Sequence, residues 1–300
     1  MGYYLSLRGK LKKINFFKQS YYNFLFLKNK FFHYFKVWGL NLFDREDATL
    51  LKEVTSLVRK TYPMGLPLTD GGRFFAGKNI LGYPAMGLIE LEGEKIGWGL
   101  GKLVRNGLEL PVLQMKTDIE TNMVKIFEKY KPEIIVDFGT CGGGTAVFFW
   151  EMASKYCQPK ILSLDITDEF FYTHSAFHKA YGTKEKVSLI FGKSTLDAGE
   201  EVKKFLQQRK PGQRVLLSFD DDHHFRHTYK ELVLYGAMLQ SGDIILMQDT
   251  WIQGLFGFET SPLLAVYKYL KGNYDFAWDE DFNKQMIMPC NFIHGLIYKK

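Results

Sequence analysis

Three carboxylates and three imidazoles stand within eight residues at Asp220-Asp221-Asp222-His223-His224-Phe225-Arg226-His227. Carboxylates so grouped can hold a hard divalent cation. An imidazole beside them, with an ordinary pKa of about 6.5, can take a proton from a substrate hydroxyl. The bland alternative is a solvated acidic loop, with His227 packing or capping inside the helix that follows. A second polar group follows at Gln248-Asp249-Thr250-Trp251. Asp222 and Asp249 together could bind one cation, and Trp251 either walls a substrate pocket or belongs to the core.

A third group is Asp137-Phe138-Gly139-Thr140-Cys141-Gly142-Gly143-Gly144-Thr145. Glycines here let backbone approach a ligand and permit positive φ, and a helix starting after them offers unpaired N–H groups. Gly139 and Gly142 are three apart, which departs from the GxGxxG dinucleotide fingerprint. Asp137, two residues before the first glycine, would repel phosphate. It suits a ligand with an amino group, such as the aminocarboxypropyl arm of S-adenosylmethionine. Asp165 lies 26 residues past Gly139. An acid there can accept both ribose hydroxyls of an adenosine cofactor, a need shared by NAD and S-adenosylmethionine. A helix N-cap is its structural alternative.

Such residues need a scaffold that brings strand ends together, and the chain has the matching pattern. Apolar runs at Glu133–Phe138, Lys160–Ile166, Val187–Gly192, Arg214–Asp220 and Asp243–Gln248 read as buried strands. Helical stretches fall between them, near Gly144–Lys155, Glu169–Tyr181, Leu196–Gln208 and His224–Leu239, and after them at Pro262–Leu270. Late strands are expected at Tyr274–Trp278 and Phe292–Tyr298. This alternation predicts an α/β fold: a Rossmann-like, mostly parallel sheet with helices on both faces. Ligands of such sheets bind beyond the carboxyl ends of the strands, and every group above falls at one of those ends.

Upstream, Asp118–Lys131 reads as a helix ended by Pro132, and Asp47–Lys60 as a short amphipathic helix with an Asp N-cap. Tyr62–Gly107 is rich in Gly and Pro and is expected to form turns, short strands or a lid. The expected division is 1–43 as a basic N-terminal extension, 44–116 as a cap or lid, and 117–300 as the cofactor-binding domain.

With 300 residues, 46% of them hydrophobic and 24% charged, the chain can bury a large core, and wholesale disorder is excluded. Three cysteines (Cys141, Cys157, Cys290) are too few and scattered for a disulfide framework or a four-thiolate zinc site, so a reducing compartment is expected. Residues 1–43 carry eight Lys and Arg and no acid, against a net charge of +6 for the whole chain. The basic character therefore belongs to this extension, which weakens the case for nucleic acid. Residues 12–38 place Asn15, Lys18, Gln19, Asn23, Asn29, Lys30, His33 and Lys36 on one helical face, with aromatics over most of the rest. A helix of this kind either lies in a membrane interface or packs on its own domain or a second subunit. Lys28, Lys30 and Lys36 weigh against a signal peptide. No apolar run reaches the length of about 18 residues that a spanning helix needs.

The sequences IIVDFGTCGGGTA, ILSLDI, FDDDHH…H…ELVLYGAML and GDIILMQDT together resemble the cephalosporin hydroxylase/rhamnosyl O-methyltransferase family, over about Thr117–Lys300. The resemblance implies a class I methyltransferase fold and use of S-adenosylmethionine. Its contacts would be Asp137, Gly139, Thr140, Gly142, Gly143, Asp165 and Asp220. It also implies magnesium on Asp222, Gln248 and Asp249, with Gln248 standing where the family has Glu. Lys284 matches a later family lysine. His223 is the expected base, with Asp222 and Asp249 as ligands or orienters. The expected activity is O-methylation of a sugar hydroxyl on a glycan, glycolipid or secondary metabolite, in the cytoplasm or at the inner face of a membrane. An NAD(P)-dependent oxidoreductase and a non-catalytic membrane-associated scaffold are the competing readings.

Overall fold

The computed structural model describes residues 49–50, 52–54, 56, 75–78, 84–91, 94–97, 101–105, 108–112, 114, 117–140, 143–166, 187–250, 262–287, 290–292 and 294–300; for 75–112 the description covers the backbone alone. The basic extension, the helix expected at Glu169–Tyr181, and Cys141, Gly142 and Trp251 lie outside these residues. Residues 49–50, 52–54 and 56 are helical, with Leu50 and Val54 buried, in keeping with an amphipathic helix there.

The Gly/Pro-rich region contains antiparallel strands. β1 (Phe75–Lys78), β2 (Pro84–Leu91) and β3 (Glu94–Gly97) form one small sheet, and β4 (Gly101–Arg105) pairs with β5 (Leu108–Val112) in a hairpin.

A seven-stranded sheet carries the rest. Its strands are β6 (Ile134–Phe138), β7 (Lys160–Asp165), β8 (Val187–Phe191), β9 (Val215–Phe219), β10 (Ile244–Met247), β11 (Phe276–Trp278) and β12 (Leu296–Lys299). Their order is β11-β12-β10-β9-β6-β7-β8. β6 to β10 pair in parallel, and β12 runs antiparallel between β10 and β11. From β6 the chain moves outward to β7 and β8, then returns to β9 on the other side. The strand order thus reverses between β6 and β9, the position where α/β sheets open a ligand crevice. β12 starts later than its apolar run because Phe292–Gly295 forms a turn. There the Gly295 N–H reaches the Phe292 carbonyl at 2.8 Å, and His294 has φ 51°.

The helices are α1 (Met123–Tyr130), α2 (Gly144–Ala153), α3 (Gly199–Leu206), α4 (Phe225–Gly236), α5 (Pro262–Gly272) and α6 (Glu280–Lys284). A π-turn over Asp118–Asn122 leads into α1, and a 3-10 turn over Thr195–Ala198 leads into α3. Strand residues point alternately to the two faces, so both faces need apolar side chains. Ile135, Ile161, Leu216 and Leu246 face Phe127, Phe148 and Phe149 of α1 and α2. Val136, Leu162, Leu217 and Ile245 face Val202, Leu232 and Tyr235 of α3 and α4. Asp137 shares the first face with Ile135, beneath α2.

Candidate active site at the carboxyl ends of the strands

After β6 the backbone turns sharply. Gly139 has φ 93° and Gly143 φ 78°. The Gly139 and Thr140 N–H groups reach the Leu164 carbonyl on β7 at 2.9 and 3.0 Å. A Cβ at Gly139 would lie 2.2 Å from the Asp220 carbonyl oxygen, so only glycine permits this approach of the two strand ends. Gly143 precedes α2, whose start has no side-chain cap, leaving first-turn N–H groups for another acceptor.

Asp137 is fully buried. Its Oδ2 accepts the Ser163 hydroxyl at 2.7 Å, while Oδ1 has no hydrogen-bond partner among the described residues. Burial pushes the Asp137 carboxyl up to about 7, against the pull of the Ser163 hydrogen bond. Thr140 is buried with its hydroxyl on Ser163. Asp165 ends β7 on the rim, half-buried, with the 67% exposed Ile166 after it.

The loops after β9 and β10 bring Asp220, His223 and Asp249 together, each offering one ligand atom within 4.8 Å of the others. His223 Nε2 lies 2.9 Å from Asp249 Oδ2. Asp249 sits at φ 52°, a left-handed conformation that Asp tolerates better than most residues and that tends to mark functional turns. Asp249 Oδ1 is buried with no partner among the described residues. Burial, then the charges of Asp249, Asp137 and Asp221, push the Asp220 carboxyl well above its usual range. Burial pulls the His223 imidazole down, but Asp249, Asp221 and Asp222 outweigh it and raise its pKa.

The sequence spacing suggests Asp222 with Asp249; the structure pairs Asp220 with Asp249. The Asp220 N–H bonds the Phe138 carbonyl at 2.9 Å, which extends β9 and holds Asp220 over the switch point. Asp222 instead belongs to the start of α4. Its Oδ1 accepts the His224 N–H at 2.9 Å, the His224 ring lies against it, and its carbonyl accepts the Thr228 hydroxyl at 2.9 Å. Gln248 is fully buried and its amide is engaged by other side chains. Its Nε2 donates to Ser218 at 2.7 Å, and its Oε1 accepts from Gln114 and, at 3.4 Å, from Asn291. An amide oxygen has two lone pairs, so the oxygen expected to bind metal is already filled. Lys284 sits on α6 in an exposed ion pair with Glu280 at 3.6 Å.

Gln114 and Asn291 carry no motif in the sequence that marks them. Gln114 Nε2 also reaches Asp220 Oδ2 at 3.1 Å, and Asn291 Nδ2 donates to Gln114 Oε1 at 3.0 Å. Asn291 N–H bonds Asp118 Oδ2 at 2.7 Å, and Asn122 Nδ2 donates to Asp118 Oδ1 at 2.8 Å. The network is buried and supports Asp220 from behind. It joins residues more than a hundred positions apart, and no local pattern announces it. A second cluster collects Asp221, His227 and Glu231. Hydrogen bonds donated to Asp221 and Glu231 raise His227 to about 10, and burial raises Glu231 to about 8. For this cluster a signal was present, since His227 and Glu231 are four apart on one helix.

The family described as Rhamnosyl O-methyltransferase/CmcI matches residues 105–296. The chain belongs to this family. Among curated relatives in the same family, the rhamnosyl O-methyltransferase of Mycobacterium bovis (strain BCG / Pasteur 1173P2) is 29% identical over 152 residues, 49% of this chain and 59% of the relative. The rhamnosyl O-methyltransferase of Mycobacterium leprae (strain TN) is 28% identical over 152 residues, 49% of this chain and 63% of the relative. The match thus spans about three-fifths of these relatives' length. Among solved structures, a CmcI chain described with Mg and SAM aligns with TM-score 0.48 at 14% identity, covering 78% of this chain and 88% of that one. The O-methyltransferase TomG from Streptomyces achromogenes, in complex with SAM, aligns with TM-score 0.39 at 13% identity, covering 53% and 70%.

Proposed function

We propose that this chain is an S-adenosylmethionine-dependent O-methyltransferase acting on a sugar hydroxyl of a glycan, glycolipid or secondary metabolite. The observation that carries the reading is the meeting, at the reversal of strand order, of the glycine turn and the Asp220–His223–Asp249 group. The names of the curated relatives support the sugar acceptor.

On this reading Asp137 Oδ1, buried and unpartnered, takes the ammonium of the cofactor. The turn of Gly139, Thr140, Gly142 and Gly143 lies along its aminocarboxypropyl arm, and Asp165 accepts the ribose hydroxyls. Asp220 closes the cofactor pocket on the β9 side. Methyl transfer is an in-line displacement at a sulfonium, which demands alignment of the attacking hydroxyl and removal of its proton. His223, oriented by Asp249, takes that proton, and the carboxylate stabilises the imidazolium formed. The buried, unpartnered Asp249 Oδ1 beside Asp220 also fits a divalent cation. Asp220 and Asp249 would hold magnesium there, and it would supply positive charge against the forming alkoxide. Gln248, filled by its amide partners, and Asp222, engaged at α4, stay outside that set.

Residues 44–116 are proposed as the acceptor-side cap, residues 117–300 as the methyltransferase domain, and residues 1–43 as a membrane-surface or subunit contact on the cytoplasmic side. Among the described residues no helix is long and apolar enough to cross a membrane. Liposome flotation of the full chain against a Lys28→Glu, Lys30→Glu, Lys36→Glu variant tests the membrane arm. Loss of flotation is expected, and flotation unchanged at low salt rejects it.

Isothermal titration with S-adenosylhomocysteine and with NADH tests the central reading. Binding of the first alone is expected, weakened at least about tenfold by Asp165→Ala through loss of charge-assisted hydrogen bonds. Binding of NADH alone would favour the oxidoreductase, and binding of neither the scaffold. Mass spectrometry of glycolipid extracts made with and without the gene then seeks a methyl-mass difference.

A further inference from the structure

Asp220 is held in two ways, and the second comes from outside the strand that carries it. Its backbone N–H is fixed on the Phe138 carbonyl at 2.9 Å. Its side chain could still turn about χ1 and χ2, but Oδ2 accepts a hydrogen bond from Gln114 Nε2 at 3.1 Å. Gln114 lies two residues after β5, upstream of the seven-stranded sheet, and is fully buried.

Each bond around Gln114 has a defined direction. Its NH2 group faces Asp220, the orientation that an ionised carboxylate requires. The same nitrogen donates to Gln248 Oε1. Gln114 Oε1 faces the other way and accepts from Asn291 Nδ2 at 3.0 Å. Asn291 is clamped through its backbone. Its N–H donates to Asp118 Oδ2 at 2.7 Å, and its carbonyl accepts the Thr250 N–H at 3.1 Å, next to Asp249. Asp118 and Asn122 open and close the π-turn before α1, and both are buried. Asn122 in turn holds the Ile287 N–H at 2.9 Å and the Ile287 carbonyl at 2.8 Å. Such π-turns are rare and recur at functional sites. If Gln114 served only to fill the interior, an apolar side chain of similar length would do so without an amide whose every polar atom needs a partner. The amide is retained where its hydrogen reaches a carboxylate of the active-site group.

We propose that Gln114 is a positioning residue for that group: its amide, oriented by Asn291, holds the Asp220 carboxylate where it meets His223 and Asp249. Gln114 acts through Asp220. The region upstream of the sheet thereby contributes to the site, and the Gln248 oxygen serves as the second seat of the Gln114 amide. The inference rests on the assignment of Asp220 to the cofactor pocket.

The test is a double-mutant cycle on the full-length chain, read in S-adenosylhomocysteine affinity by calorimetry. Gln114→Met keeps the length of the side chain and removes the amide. It should weaken binding about tenfold, the worth of a hydrogen bond to a charged group. In an Asp220→Ala background the same substitution should change affinity by less than about twofold, because the residue it acts through is gone. A merely structural Gln114 would lower affinity alike in both backgrounds. That result, or unchanged affinity in Gln114→Met, overturns the proposal. Should urea unfolding show that Gln114→Met folds poorly, Asn291→Ala takes its place in the cycle. It keeps the backbone bonds to Asp118 and Thr250, frees the Gln114 amide, and should show the same dependence on Asp220. If the wild-type chain binds no S-adenosylhomocysteine, the proposed function falls, and the crystal structure of Gln114→Met decides instead. An Asp220 carboxylate turned away from His223 and Asp249 supports the positioning role, and an unmoved one overturns it.

Discussion

The two ends of the seven-stranded sheet treat buried acids in opposite ways. At the amino end, Asp243 is fully buried and fully satisfied. Arg209 grips it through two bonds of 2.7 and 2.9 Å, and the Val215 and Gln240 N–H groups reach it at 2.9 and 2.7 Å. At the carboxyl end, Asp137, Asp249 and Glu231 each keep one buried oxygen without a partner among the described residues. A fold meets the cost of a buried charge with hydrogen bonds where the residue serves stability. Where oxygens are left open among the described residues, as at Asp137 and Asp249, the ligands proposed above are the candidate partners. The same residue type is thus fully satisfied at one end of the strands and keeps an open oxygen at the other.

The largest expected effect breaks the satisfied end. Asp243→Ala leaves Arg209 and two backbone N–H groups without their acceptor and should cost about 3–5 kcal/mol in urea unfolding. Asp137→Asn, at the open end, should lose less than about 1 kcal/mol or gain stability, since it removes a buried charge with an unpaired oxygen. Equal losses from the two would erase the distinction.

Next comes the ligand. Asp137→Asn should weaken S-adenosylhomocysteine by about tenfold to a hundredfold, the worth of a charge-assisted bond of roughly 1.5–3 kcal/mol. The Asp137 carboxyl, raised to about 7 by burial, binds an ammonium only when ionised. Wild-type affinity should therefore climb with pH up to about 7 and then level off. The same titration in Asp137→Asn should be flat, and a slope that persists there would assign it elsewhere.

A smaller effect concerns stability against pH. Asp118 is raised to about 6, by burial first, despite its bonds from Asn122 and Asn291. The native state holds this proton longer than the unfolded chain does. Its contribution is complete below pH of about 4 and fades as pH rises through about 6, a loss on the order of 3 kcal/mol. Urea midpoints across that window should fall in the wild type and fall less in Asp118→Asn.

The smallest effect is expected at Gln248. Its oxygen is held by Gln114 and Asn291, so Gln248→Glu should leave magnesium affinity within about threefold, while its buried carboxyl takes up a proton or costs stability. A large gain in magnesium affinity would mean that residue 248 turns toward Asp249 when charged.

The amino-acid pattern dictates the parallel sheet, because strands buried on both faces must be apolar throughout and their spacing leaves room only for crossover helices. It also determined the glycine turn, since the backbones of residues 139 and 220 approach too closely for any Cβ. It marked the strand ends where polar residues gather, including Asp137, Asp165, His223 and Asp249. Which carboxylate meets which is set by packing. Asp220 and Asp222 are two residues apart, yet one continues β9 and the other engages the start of α4, a choice made by the Phe138 carbonyl and the His224 N–H. Gln114 and Asn291 fill the Gln248 oxygen from 134 and 43 residues away in the chain. Such bonds leave no periodic trace in the sequence, because their partners become neighbours only after the strands have packed side by side.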